Sequence, residues 1–254
     1  MTELFSGVGV ALVTIFDDQG AVDPDATAAI ASDLVVAGLR AVLVCGTTGE
    51  AATLADSERA ALIDAVRAAV PRAIPVIAGT GAPSLWQATR LTADAVRAGA
   101  DAVLTWPPAG CTELGGYYGA VAAAGDGRPV LAYHGPWPSE AGVPVTALDA
   151  LPVAGVKDSS GSPDRLLDEL AHYQGATCVG SSALLALAGP MGAARALLAL
   201  ANVEPDRCCR AFAGDALVQR ETADRHLEVS NGGPGALKRM LAKTRPICPG
   251  SRIP

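Results

Sequence analysis

Three lysines stand among sixteen arginines in this chain, and one of them, Lys157, follows the apolar run Val153-Ala154-Gly155-Val156 in the stretch LPVAGVKDSSG. An ammonium without a partner is costly to bury, so a lysine at this place needs a reason. A lysine amine attacks a ketone only when neutral, and desolvation at the end of an apolar strand favours the neutral form. The iminium that results is an electron sink beside which a carbon–carbon bond can form or break. Other groups suited to the same carbonyl chemistry end other apolar runs. Tyr133 closes RPVLAYH, and a tyrosine hydroxyl can shuttle protons if a hydroxyl relay offsets its intrinsic weakness as an acid. Thr47 and Thr48 lie in GTTGE (46–50), where their hydroxyls and the N–H groups of the glycine-rich turn, Gly46 included, can hold a carboxylate next to the ketone. Each feature also has a plain reading. Lys157 can pair with Asp158 or Glu50, Tyr133 can be a core tyrosine, and GTTGE can be a tight turn capping a helix.

The elements that must position these residues are short β-type runs alternating with longer helical ones. Strand candidates are 7–16, 41–46, 74–79, 101–106, 128–134, 153–158, 176–181 and 195–202, the last being equally rich in helix-forming Leu and Ala. Helices are expected at 24–38, with Asp23 as N-cap and Pro24 at the first position, and at 56–70, with Glu58 in the first turn. Others are expected at 84–98, between Ser84 and the C′-type Gly99, at 112–124, 162–173 and 182–189, and in a tail from about 205. Most strands are apolar without polar alternation, the pattern of a parallel sheet covered on both faces. Eight such units favour a closed (β/α)8 barrel over an open doubly wound sheet, and no dinucleotide or Walker A fingerprint supports the open form. The expected organisation is one domain: a barrel over 1–203 and a shortened C-terminal helical extension over 204–254. In such a barrel the carboxyl ends of the strands form the active face. GTTGE, GTGA (79–82), Trp106-Pro107-Pro108, Tyr133, Lys157 and GSS (180–182) all fall there.

Taken in order, GTTGE, IPVIAGTGA, a tyrosine closing strand five and GVKDSSG resemble the dihydrodipicolinate synthase / N-acetylneuraminate lyase family. The resemblance extends from VALVTIFDDQGAVD to GPGALKRML, nearly the whole chain. It implies a (β/α)8 barrel whose lysine forms a Schiff base with pyruvate or another 2-oxo acid, which is then joined to an aldehyde or released from the adduct. By position Lys157 matches the Schiff-base lysine, Tyr133 the general acid/base, Thr47 the relaying hydroxyl and Thr48 the carboxylate-binding threonine. Gly46, Leu197, Trp106 and Trp137 complete the expected binding surface. Arginine, essentially never neutral in a protein, cannot form an imine, which answers why a lysine stands at 157. The reaction so implied needs neither a metal nor another cofactor, and the expected assembly is a homo-oligomer, dimer or tetramer.

Departures from the family pattern bear on the substrate. Where relatives commonly read Tyr-Asn-x-Pro, this chain has Tyr133-His134-Gly135-Pro136, and Trp137 and Pro138 stand where synthases proper place an arginine for the acceptor's carboxylate. That argues against a true 4-hydroxy-tetrahydrodipicolinate synthase, though it leaves that activity open beside a catalytically silent 2-oxo acid binder. The segment WPPAG after strand four lacks the tyrosine that relatives extend into a neighbouring subunit, and Tyr117 and Tyr118 come too late to match it.

Composition narrows the partners. Net charge is −7 with no basic stretch, which argues against nucleic acid. The opening residues lack a basic n-region and read as a first strand, and no apolar run reaches the roughly 18 residues that span a bilayer, so a cytoplasmic protein is expected. The six cysteines include no C-x-x-C pair and the three histidines are far apart, so buried or incidental thiols are favoured over a metal site or disulfides.

Overall fold

A computed structural model of the chain describes residues 4–135 and 142–253. Eight parallel strands, β1 (Gly7–Ala11), β2 (Val42–Val44), β3 (Val76–Gly79), β4 (Ala102–Thr105), β5 (Val130–His134), β6 (Gly155–Asp158), β7 (Ala176–Val179) and β8 (Arg195–Leu198), close into a barrel in sequence order. Closure is made by β1 against β8, with Gly9 opposite Leu197. All eight expected strands are present, although the first leaves the sheet after Ala11. The eighth settles the ambiguity of its Leu- and Ala-rich sequence by splitting: 195–198 pair with β1 and β7, and Leu200–Asn202 turn into a 3₁₀ helix. There Asn202 accepts the Val13 N–H at 3.2 Å and donates to the Ala11 carbonyl at 2.8 Å, tying the ends of the first and last strands together.

The absence of polar alternation has a simple cause. Val42, Val44, Val103, Val130, Ala132 and Val156 pack outward against the helices, while Leu43, Ile77, Leu104, Leu131, Tyr133, Cys178 and Leu197 form a second apolar cluster within the barrel. Both faces of each strand are therefore buried. A side chain at Gly9 would meet Leu197 Cδ2 at 2.8 Å, so that glycine makes room for Leu197 within the barrel.

The helices form where caps direct them. α1 (Pro24–Val36) starts at Asp23, whose carboxylate accepts the Ala26 N–H; α2 (Asp56–Ala69) has Glu58 accepting the Ala55 N–H at 2.8 Å; α3 (Leu85–Arg97) starts at Ser84. α4 (Leu114–Ala124) follows, and then α5 (Val145–Leu148), which the sequence did not announce because a single turn shows no 3.6-residue periodicity. α6 (Pro163–His172) and a short α7 (Leu185–Ala188) complete the ring. After β8 come α8 (Pro205–Phe212), α9 (Ala216–Glu221) and α10 (Ala223–Leu241), the last broken at Gly233 (φ 54) ahead of Pro234. Among the described residues no helix is long and apolar enough to cross a membrane.

Candidate active site

Strand register brings the two central residues together. Tyr133 on β5 and Lys157 on β6 are paired across the ladder, so they stand side by side on the inner face. Lys157 Nζ lies 4.9 Å from the centroid of the Tyr133 ring, and both residues are buried, 6% and 9% exposed. Neither plain explanation of this lysine survives. Asp158 directs its carboxylate to the N–H and hydroxyl of Ser160, at 2.8 and 3.0 Å, and Glu50 pairs with Lys238 at 2.5 Å. Among the described residues no carboxylate pairs with Lys157 Nζ and no acceptor takes its N–H groups. The Tyr133 hydroxyl has its space from Gly135, where an added Cβ would come within 3.1 Å of it.

GTTGE forms a tight turn after β2. Gly49 and Ala51 donate to the Gly46 carbonyl at 3.0 and 3.2 Å, Glu50 donates to that of Thr47 at 3.0 Å, and Thr14 Oγ1 donates to Gly49 O at 2.8 Å. Two non-glycine residues in left-handed conformation bracket the turn, Cys45 at φ 53 and Glu50 at φ 55. Such residues cost roughly 1–3 kcal/mol each and persist only where their surroundings over-determine them. The N–H groups of Gly46, Thr47 and Thr48 make no hydrogen bond among the described residues, so three successive amides are available to an acceptor such as a carboxylate. Thr47 is exposed and Thr48 half-buried, and among the described residues the Thr47 hydroxyl makes no hydrogen bond to Tyr133.

Leu197 and a partly buried Trp106 belong to the same inner cluster as Tyr133. The Trp106 indole lies on the backbone of Gly81, where a Cβ would meet its Nε1 at 2.1 Å, so only glycine fits beneath it. Trp137, with Pro138, lies outside the described residues. His134 is engaged in structure: its Nδ1 accepts the Val143 N–H at 3.0 Å, and burial, then the nearby Arg165, hold its basicity below that of an ordinary imidazole.

Two supporting residues escaped the sequence reading. Tyr117, on α4, donates its hydroxyl to the Trp106 carbonyl at 2.6 Å and meets Thr105 Oγ1 at 2.6 Å; burial pushes its phenol up to about 12, so it stays protonated and pins the end of β4. A buried tyrosine on an apolar helix needs a partner for its hydroxyl, which was the available signal. Arg165, on α6, donates to the Val143 carbonyl at 2.8 Å while facing Asp158 at 3.8 Å and Glu169 at 2.9 Å, linking the segment after β5 to β6. The thiols of Cys45 and Cys178 are both pushed up to about 12 by burial, which leaves them protonated and inert at neutral pH.

The arrangement offers an amine without a counter-ion among the described residues, a phenol beside it and, in the turn after β2, three successive backbone N–H groups without a partner among those residues. Comparison with known proteins agrees with the architecture. The model of the dihydrodipicolinate synthetase family matches residues 4–218. Over 209 residues the chain is 38% identical to an uncharacterized DapA-like lyase of Halobacterium salinarum, spanning 79% of this chain and 68% of that one. Over 249 residues it is 32% identical to the 4-hydroxy-tetrahydrodipicolinate synthase of Pseudomonas savastanoi pv. phaseolicola, spanning 90% and 82%. The crystal structure of the chloride-inhibited dihydrodipicolinate synthase from Acinetobacter baumannii complexed with pyruvate has a TM-score of 0.88 at 25% identity, covering 99% of this chain and 92% of that one. The match runs from ahead of β1 into α9 and takes in every strand of the barrel; the chain belongs to the dihydrodipicolinate synthetase family.

Proposed function

We propose that this protein is a Schiff-base lyase that joins pyruvate or a related 2-oxo acid to an aldehyde, or cleaves the adduct, through an imine on Lys157. The observation that carries the reading is a buried lysine on the inner face of the barrel, with no counter-ion among the described residues and Tyr133 as its register partner. In this mechanism the neutral Nζ attacks the ketone carbon, the carbinolamine loses water, and the protonated imine forms. A proton then leaves the adjacent methyl carbon, giving an enamine whose carbon attacks the aldehyde. Water attacks the product imine to release the product and regenerate the amine. The Tyr133 hydroxyl carries the protons lost and gained in these steps; relay through the exposed Thr47 hydroxyl requires that the two hydroxyls come within hydrogen-bond reach when substrate is bound. The free N–H groups of Gly46, Thr47 and Thr48, with the Thr48 hydroxyl, hold the 2-oxo acid's carboxylate. Leu197 and Trp106 supply the apolar wall that keeps water from the enamine.

Reduction with borohydride in the presence of pyruvate tests this directly. One reduced pyruvyl group is expected, located at Lys157 by peptide mass mapping, and Lys157→Arg should abolish it while leaving the fold intact. Labelling at Lys238 or Lys243, or no labelling with any 2-oxo acid, overturns the Schiff-base mechanism.

A further inference from the structure

Glu50, the last residue of GTTGE, is wholly buried, and its carboxylate faces the segment that follows α10. Lys238 Nζ donates to Oε1 at 2.5 Å; the Ser251 hydroxyl and the N–H groups of Arg252 and Ile253 converge on Oε2 at 2.9, 2.7 and 3.1 Å. Lys238 also donates to the Gly250 carbonyl at 2.9 Å, fixing the segment from its other side. Arg252 then reaches past the turn. It makes a bidentate contact with Glu58 at 2.9 and 2.6 Å and donates to the carbonyls of Thr53 and Gly20 at 3.0 and 2.8 Å. The ring of Phe16 lies under both cations, 4.1 Å from Lys238 Nζ and 4.5 Å from the Arg252 guanidinium.

We propose that residues 250–253 are a strap that holds the carboxylate-binding turn in its binding geometry, with Lys238 and Arg252 as positioning residues for the 2-oxo acid. A turn bracketed by left-handed Cys45 and Glu50 needs external restraint, and Glu50 receives four donors from this one region. A buried ion pair costs desolvation that apolar residues of similar volume avoid, so net stability alone is a weak reason for it; fixing one arrangement of the loop is a better one. Without the strap, Glu50 is free to leave the left-handed region, and the turn that carries the free amides of Gly46, Thr47 and Thr48 loses its restraint.

This inference rests on the proposed lyase reading, and its test separates the two. Borohydride trapping of pyruvate is titrated in the wild type, Arg252→Met, Arg252→Lys and Asp33→Asn, the last removing a surface pair with Arg245 away from the turn. Arg252→Met should raise the half-saturating pyruvate concentration about tenfold, the scale on which a slightly misplaced binding group weakens a site, with trapping at saturation within about twofold of wild type. Arg252→Lys should recover part of the loss, and Asp33→Asn should match the wild type. A folded Arg252→Met with unchanged half-saturation overturns the strap, as does an equal shift in Asp33→Asn. Should Lys238→Met fail to fold because Glu50 is left buried and unpaired, the double variant Glu50→Gln/Lys238→Met removes both charges and should show the same weakened binding. Amide exchange at Gly49, Glu50 and Ala51 reads the restraint without any substrate. It should quicken in Arg252→Met while β6 stays protected, and unchanged exchange overturns the strap. Absence of trapping in the wild type instead overturns the lyase reading and, with it, the ligand assigned to the turn.

Discussion

Replacing Glu169 by glutamine isolates the electrostatic frame that supports β6. Glu169, on α6, is 0% exposed, and its nearest cation is Arg165 one turn earlier, whose Nη2 lies 2.9 Å away while the same guanidinium faces Asp158. Burial, reinforced by the Asp158 carboxylate, pushes the Glu169 carboxyl up from 4.5 to about 7 against the pull of Arg165. The fold therefore binds this proton more tightly than the unfolded chain does. The stability linked to it is fully present below about pH 4.5 and is lost as the pH rises through about 7. At 1.36 kcal/mol per pH unit the loss across that window is roughly 3 kcal/mol, a substantial part of a typical net stability. Glutamine copies the shape of the protonated acid and cannot ionise, so Glu169→Gln should lack this component. The assay is urea unfolding followed by far-ultraviolet circular dichroism at pH 5, 6, 7 and 8 for both proteins. The wild type should lose stability relative to the variant by about 2–3 kcal/mol from pH 5 to pH 8, with unchanged denaturant slopes. Parallel pH profiles would refute the reasoning and mean that Arg165 keeps Glu169 ionised throughout.

Tyr133→Phe should still be trapped by borohydride with pyruvate but should lose about 10²–10⁴-fold in turnover, the usual contribution of a general acid/base; near-normal turnover would put the proton shuttle elsewhere. Thr48→Val should chiefly raise the 2-oxo acid concentration required, because it removes a hydroxyl beside the free amides and leaves Lys157 untouched; a purely kcat effect would count against its role. Across a panel of aldehydes assayed with pyruvate, uncharged acceptors should outperform aspartate semialdehyde, since Trp106, Pro107 and Pro108 offer no cation for its carboxylate and the sequence has Trp137 and Pro138 where the family resemblance places an arginine. The highest kcat/KM for aspartate semialdehyde would show that another cation has taken that place.

Local chemistry made much of this protein readable from its residues alone. Asp23-Pro24, Ser84 and Gly99 mark helix ends because capping and left-handed backbone are properties of one or two residues. The apolar strands announced a sheet buried on both faces, and the placement of Lys157 at a strand end followed from a run of four apolar residues before it. What the tertiary structure decided depends on register and on contacts between distant segments. Lys157 sits beside Tyr133 only because β5 and β6 pair with those positions opposed; a shift of one residue would turn the lysine's partner outward. The fate of 195–202 was open until β1 and β7 offered edges to pair with, since Leu and Ala serve helix and strand alike. Tyr117 reached Trp106, and Lys238 and Arg252 reached the GTTGE turn, by paths that no sequence spacing encodes. Glu50 shows the division most clearly. Its place in the motif was plain, but a buried carboxylate takes its meaning from whichever cation the fold brings to it, and that proved to be Lys238 rather than Lys157.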